Sequence, residues 1–286
     1  MQDEAVETQL HFLQQVVRLA RVNMAHRIEA ACGAGGWELY ERLLRATPAP
    51  FSAYFAFDDF AMVSSSPELF LKMSCERILT RPIKGTRPRG ENVLRDAELA
   101  DELRSSEKEN AELVMITDLL RNDLGRVCQY GTIRVPELMR LERYSLVQHL
   151  VSTIEGRLRP EVSHWDALSQ CFPGGSITGA PKIRAMEIID ELEPVARGPY
   201  CGCHGYLGFN RESQLSITIR TAVVRNGTAW FHVGAGIVAD SEPEAEYAET
   251  LAKGRGFLTA LENGLRREWP EEIPASQSYF QRSEEK

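Results

Sequence analysis

No apolar run in this 286-residue sequence approaches the roughly 20 residues that a helix needs to cross a bilayer. Its opening residues, MQDEAVETQL, offer neither the basic flank nor the apolar centre of a secretory signal. A basic surface is also missing. The chain has 33 Lys and Arg against 41 Asp and Glu, a formal net charge of -8, and its cations are scattered. That balance argues against nucleic acid or an anionic membrane as partner, since both are met by positive footprints. Cysteine is sparse: Cys32, Cys75, Cys128, Cys171, Cys201 and Cys203 are too few for the disulfide framework of a small secreted domain. Free thiols and a cytoplasmic location are expected. Internal repeats, low-complexity tracts and evident linkers are absent.

What is present is the composition of a globular protein, 43% hydrophobic and 26% charged, large enough for one big domain or two modest ones. Apolar residues at Leu10, Leu13, Val17 and Leu19 recur near helical spacing, which predicts an amphipathic helix from Glu7 to about Ala31. Short β-rich runs follow at Ala53–Phe57, Phe60–Val63, Leu69–Met73 and Arg77–Ile83. The stretch Lys84–Asn92, with two glycines and a proline, reads as a loop, and Ala97–Arg104 and Glu107–Val127 read as helices. Strands are expected at Thr132–Val135 and Val147–Ile154, and helices at His164–Cys171 and Ala180–Glu191, with Pro181 in a first turn where its missing N–H costs nothing. The strict alternation of Leu215–Arg220 predicts a strand with Ser216, Thr218 and Arg220 on one face. Val223-Val224 and Ala229–Val233 continue the sheet, and a last helix runs from about Pro243 to Leu261. The fold class is α+β, with one domain favoured and a loose tail over 263–286.

Several constellations could carry chemistry. Glu109/Glu112 and Glu246/Glu249 lie three residues apart on predicted helices, so each pair shares a helical face. Carboxylates so placed suit Mg²⁺, which takes oxygen ligands and keeps waters, although such pairs are more often solvated faces. Gly174–Lys182 is a glycine-rich turn opening a helix, where free N–H groups favour an anion. It is not a nucleotide-binding loop, because Ala180-Pro181 breaks the order and no hydroxyl follows Lys182; a carboxylate is the better guest. Gly234-Ala235-Gly236 ends a strand and would let backbone approach a ligand, though tight packing explains it equally well. Lys84, in Pro82-Ile83-Lys84-Gly85-Thr86, sits in an apolar setting in which a lysine can act as nucleophile, against the commoner reading of an exposed surface lysine. Cys201-Gly202-Cys203-His204 lacks the spacing of a metal clip and reads as a buried strand entry.

Taken together, residues 45–262 resemble the chorismate-utilising enzymes, the family of anthranilate, aminodeoxychorismate, isochorismate and salicylate synthases. The carriers are Ser66-Pro67-Glu68, Pro82–Thr86, Glu109-x-x-Glu112 leading into Asp118–Asp123, and Gly174–Lys182. Gly205-Tyr206-Leu207, Ile219-Arg220-Thr221 and Gly234–Ser241 with Glu246-x-x-Glu249 complete them. The resemblance implies a layered α/β sandwich of largely antiparallel sheets with helices outside. It implies Mg²⁺ held by Glu109, Glu112, Glu246 and Glu249, with Glu112 and Glu249 closest. It also implies chorismate bound by Ser176, Thr178, Gly179, Tyr206, Arg220, Gly234, Ala235, Gly236 and Lys253. Within the family Pro-Ile-Ala-Gly-Thr goes with anthranilate synthases and Pro-Ile-Lys-Gly-Thr with aminodeoxychorismate synthases. This sequence has the lysine, so Lys84 is expected as nucleophile and Glu68 as general acid, with ammonia delivered by a glutamine amidotransferase subunit. Residues 1–44 depart from the pattern: Leu19–Met24 runs on without the Gly-Asp-x-Tyr-Gln part that relatives carry.

Overall fold

The computed structural model describes residues 21–33, 35–144 and 147–261. In chain order the elements are β1 (Arg21–Ala31), α1 (Gly36–Ala46), β2 (Phe51–Ala56), β3 (Ala61–Ser66), β4 (Leu69–Ser74), β5 (Arg77–Arg81) and β6 (Ile83–Pro88). Helices α2 (Val93–Ser105) and α3 (Glu107–Gly125) follow, then β7 (Arg134–Arg143), β8 (Val147–Arg157) and α4 (His164–Cys171). After a single 3-10 turn at Gly175–Ile177 come β9 (Gly179–Ala180), α5 (Lys182–Leu192), β10 (Cys203–Leu207), β11 (Glu212–Ile217), β12 (Thr221–Arg225), β13 (Thr228–Ile237) and α6 (Pro243–Ala260). The class is α+β, as expected. None of the described helices is long and apolar enough to cross a membrane.

Contacts divide the chain into two compact units, each drawn from separated stretches of sequence. The first takes its described residues from Met1–Pro67, Ile177–Cys201 and Thr218–Lys286; the second from Glu68–Ser176 and Gly202–Ile217. The first unit holds a six-stranded sheet in the order β2-β3-β12-β13-β1-β9. Helix α1 buries Leu39 and Leu43, one turn apart, in a core with Val63, Ala222, Val224, Phe231 and Phe257. Phe231 and Phe257 stack with ring centroids 4.9 Å apart, and burying each such side chain contributes about 1.5–3 kcal/mol. A smaller cluster of Val22, Ala185, Ile188, Ala235 and Ile237 seats α5 on β1 and β13.

The second unit is built on a sheet ordered β10-β11-β4-β5-β8-β6, with β7 also pairing β8. Leu103 from α2, Leu113 from α3 and Leu150 from β8 form its buried cluster, with Met139 and Leu141 packed against them. Local signals fix the helix starts. The Asn92 side chain accepts the Arg95 N–H at 2.9 Å ahead of α2, and Ser163 with Asp166 forms a reciprocal capping box at α4, each cap contributing about 1 kcal/mol.

Four expectations change. The predicted helix through Ala31 is a strand from Arg21 onward, paired with β13 over ten register positions; its part before Arg21 lies outside the described residues. Tertiary pairing here overrides a run of good helix formers. Lys84–Asn92 is not wholly loop, because Ile83–Pro88 pairs with β8 through a register shift between Lys84 and Thr86. The predicted Leu215–Arg220 strand begins earlier, at Glu212, and stops at Ile217, so Thr218 and Arg220 do not share a strand face with Ser216. Helix α1, between Gly36 and Ala46, was not anticipated.

Candidate active site

Lys84 lies on β6, next to a glycine bulge. Gly85 has φ +68° and a Cβ there would meet Leu103 Cδ1 at 2.5 Å, so only glycine fits this point of the strand. The bulge re-aims the chain beside α3, and the Lys84 Nζ stands 3.7 Å from Glu112 Oε2, with both side chains largely buried. Glu109, one turn earlier on the same helix, lies with its Oε1 3.9 Å from Arg87 Nη1. Its backbone N–H is taken by the Ser106 hydroxyl that caps the helix. Within this unit the structure therefore brings Lys84, Glu109 and Glu112 together, as their spacing alone could not guarantee. Glu68 is buried just ahead of β4, and its carbonyl accepts the Ile217 N–H at 3.0 Å.

His149 joins this group. It pairs with Thr86 across β6 and β8, and its Nδ1 lies 2.9 Å from Thr86 Oγ1 and 3.3 Å from the Gly85 carbonyl. A buried imidazole on the bulge beside the lysine is a functional candidate that strand periodicity did not single out. The available signal is a lone His in the predicted strand Val147–Ile154. Ser176 is buried in the same unit, and Tyr206 stands on the edge strand β10 with 55% of its surface exposed. The Cys-Gly-Cys-His segment enters β10, where His204 Nε2 lies 2.9 Å from Ser216 Oγ.

In the first unit the candidate residues gather around β13. Gly234 faces Ala25 of β1, and a Cβ on it would lie 2.5 Å from the Met24 carbonyl and 2.9 Å from the Tyr200 hydroxyl. Ala235 is buried, and Gly236 is crossed by the Arg21 side chain. Lys253 of α6 donates to the Gly234 carbonyl at 2.8 Å and pairs with Glu249 Oε1 at 2.6 Å. Glu246, one turn before Glu249, is 3% exposed and accepts the Ser241 hydroxyl at 2.7 Å. Burying a carboxylate is costly unless it is bonded, so this glutamate is held for a reason other than solubility. Thr178 is buried, its carbonyl accepting the Asn23 N–H at 2.8 Å, while Gly179 pairs with Val22. Arg220 adopts φ +47°, with its carbonyl bonded to the Ser65 N–H at 2.9 Å. Burial pushes its guanidinium down to about 10.

The donor set suits a hard divalent cation. Each unit offers two helical carboxylates one turn apart, and Mg²⁺ needs only one or two beside its waters and an anionic guest. Among the described residues no three His, Cys, Asp or Glu side chains gather closely enough to hold a metal by themselves.

A family model described as chorismate binding enzyme matches residues 17–259. The chain belongs to that family. Among its relatives are an anthranilate synthase component 1 of Haloarcula marismortui, 49% identical over 86% of this chain and 49% of that protein. The aminodeoxychorismate synthase component 1 of Salmonella typhimurium is likewise 49% identical, over 85% of this chain and 54% of that protein. The crystal structure of anthranilate synthase component I from Streptococcus pneumoniae TIGR4 superposes with a TM-score of 0.82 at 34% identity, covering 89% of this chain and 57% of that one. The chain thus spans about half the length of the curated relatives it matches. Family members of either name are equally similar, so overall identity does not choose between the two reactions.

Proposed function

We propose that this chain aminates chorismate at C4, giving 4-amino-4-deoxychorismate, as the synthase component of an aminodeoxychorismate synthase. The observation that carries this reading is Lys84 in Pro-Ile-Lys-Gly-Thr, set on a glycine bulge within ion-pair distance of Glu112 and beside His149. Lys84, once its ammonium proton has passed to water, attacks C2 of the ring as the free amine. The double bond shifts and the C4 hydroxyl departs, taking a proton from Glu68. Ammonia then adds at C4 and the lysine leaves C2, restoring the free amine. Arg220 is suited to a substrate carboxylate, because its planar fork can meet both oxygens. Ser176, Thr178, Gly179, Tyr206, the Gly234–Gly236 backbone and Lys253 are assigned to substrate by the family pattern. Glu109, Glu112, Glu246 and Glu249 would hold Mg²⁺, which when bound offsets the charge of a dianionic substrate and fixes its orientation. A separate glutamine amidotransferase subunit is the proposed source of ammonia.

A second reading, an anthranilate synthase, stands beside it because proteins of that name are as similar to this chain as aminodeoxychorismate synthases are. Product analysis decides. The purified chain is mixed with chorismate, Mg²⁺ and excess ammonium at mildly alkaline pH, with and without chelator. A chelator-sensitive 4-amino-4-deoxychorismate mass supports the proposal, and anthranilate supports the second reading. Bound but unconverted chorismate reduces the chain to a binding protein.

A further inference from the structure

Arg197 lies outside every family motif quoted above, yet its guanidinium is largely buried and all three of its nitrogens donate hydrogen bonds. Its Nε donates to Glu193 Oε2 at 2.8 Å and its Nη2 to Glu193 Oε1 at 2.5 Å. The same Nη2 donates to the Asn23 carbonyl at 2.5 Å, and Nη1 to the Ile177 carbonyl at 3.2 Å. Glu193 Oε1 in turn accepts the Ala25 N–H at 2.8 Å. The Tyr200 ring lies under the guanidinium, 5.7 Å from centroid to Cζ. Side-chain exposure is 14% for Arg197 and 4% for Glu193, far below that of an ordinary surface ion pair.

The backbone groups in this network belong to two segments that carry candidate substrate residues. Ile177 adjoins Thr178 and Gly179. Asn23 and Ala25 are the β1 partners of Gly236 and Gly234. Asn23 sits at the junction, its N–H bonded to Thr178 and its C=O to Arg197. We propose that Glu193 and Arg197 are positioning residues that fix the Ile177–Gly179 turn against the Gly234–Gly236 strand through β1. The proposal rests on the chorismate reading above for what those two segments bind. Groups that meet a carboxylate in ground state and transition state alike contribute uniform binding, so displacing them raises KM more than it lowers kcat.

The test is Arg197→Lys, with Glu193→Gln beside it. Lysine keeps the charge but not the planar fork that reaches Glu193, Asn23 and Ile177 at once. Positioning predicts a folded variant whose KM for chorismate rises by about tenfold or more while kcat changes little, since the displaced groups bind ground state and transition state alike. Amide exchange should quicken over 21–25, 177–180 and 234–236 but not over 61–66. A pair that only stabilises would lower Tm and leave KM unchanged, which overturns the proposal. If the wild-type chain converts no chorismate, the chorismate reading falls by itself. Exchange then still decides: protection unchanged at both segments removes the clamp.

Discussion

Lys84 and Glu112 meet across a strand and a helix, Nζ 3.7 Å from Oε2, because the bulge at Gly85 turns β6 toward α3. A lysine held by a partly buried carboxylate is anchored at a defined place, and that is what a nucleophile needs before its electrophile arrives. Lys84→Ala should retain chorismate binding, measured by equilibrium dialysis with Mg²⁺, and lose C4 amination. Unchanged amination removes the lysine from the mechanism.

The bulge itself gives a second expectation. Gly85→Ala would place a methyl group 2.5 Å from Leu103 Cδ1, at a backbone angle that L residues rarely adopt. Strain and overpacking together should cost about 2 kcal/mol or more, read as a lower denaturant midpoint. Amination should fall further than stability explains, because Lys84 is the adjacent residue. A variant as stable and active as wild type would show that the bulge is dispensable.

These two residues also show how much the sequence made legible. Lys84 is legible from its motif and Glu112 from helical spacing, but their meeting depends on a bulge that, in sequence, reads as the start of a loop. A glycine with positive φ inside a strand has the same local signature as a glycine in a turn; only the pairing of Thr86 with His149 distinguishes them. Arg21–Ala31 failed for a similar reason. Arg, Met, Ala and Glu favour helix in isolation, while the ladder to Thr228–Ile237 is a long-range contact that no local window contains. Arg220 continues a clean alternation in the sequence, but the strand stops three residues before it, at Ile217, and Arg220 itself adopts φ +47°. Helices α2, α3 and α4 are legible because side-chain caps mark their starts, and α5 and α6 because Pro181 and Pro243 stand at theirs. Arg197 is not, since its partners are carbonyls and an amide far away in sequence.

The loop after β6 carries a pH dependence of its own. The hydrogen bonds and charge of Arg89, with the Gly90 N–H and the nearby Arg143, hold the Asp96 carboxyl down to about 2. A depressed folded value means that the ionised group stabilises the fold above its unfolded value of about 4, and that this contribution disappears as pH falls toward 2. Comparing wild type with Asp96→Asn by urea unfolding, the gap in midpoint should be constant from pH 7 to about 5 and close between about 4 and 2. A gap that persists at pH 2 would mean the Asp96 side chain acts by shape alone.

Buried Glu246 bears on the metal. Its carboxylate takes the Ser241 hydroxyl, while Glu249 on the same face is paired with Lys253, so donors already hold both of these proposed ligands in place. If these carboxylates bind Mg²⁺ only in the folded chain, the ion must raise Tm by mass action, by about 2.7 kcal/mol in stability at a hundred times its Kd. The rise should saturate in wild type and shrink in Glu246→Gln and in Glu112→Gln, with Ca²⁺ less effective where octahedral geometry is enforced. A Tm that responds to Mg²⁺ equally in all three proteins would place the ion elsewhere. No response in wild type would mean that the ion needs chorismate as a ligand, and repeating the titration with chorismate present separates that case from a chain that binds no metal.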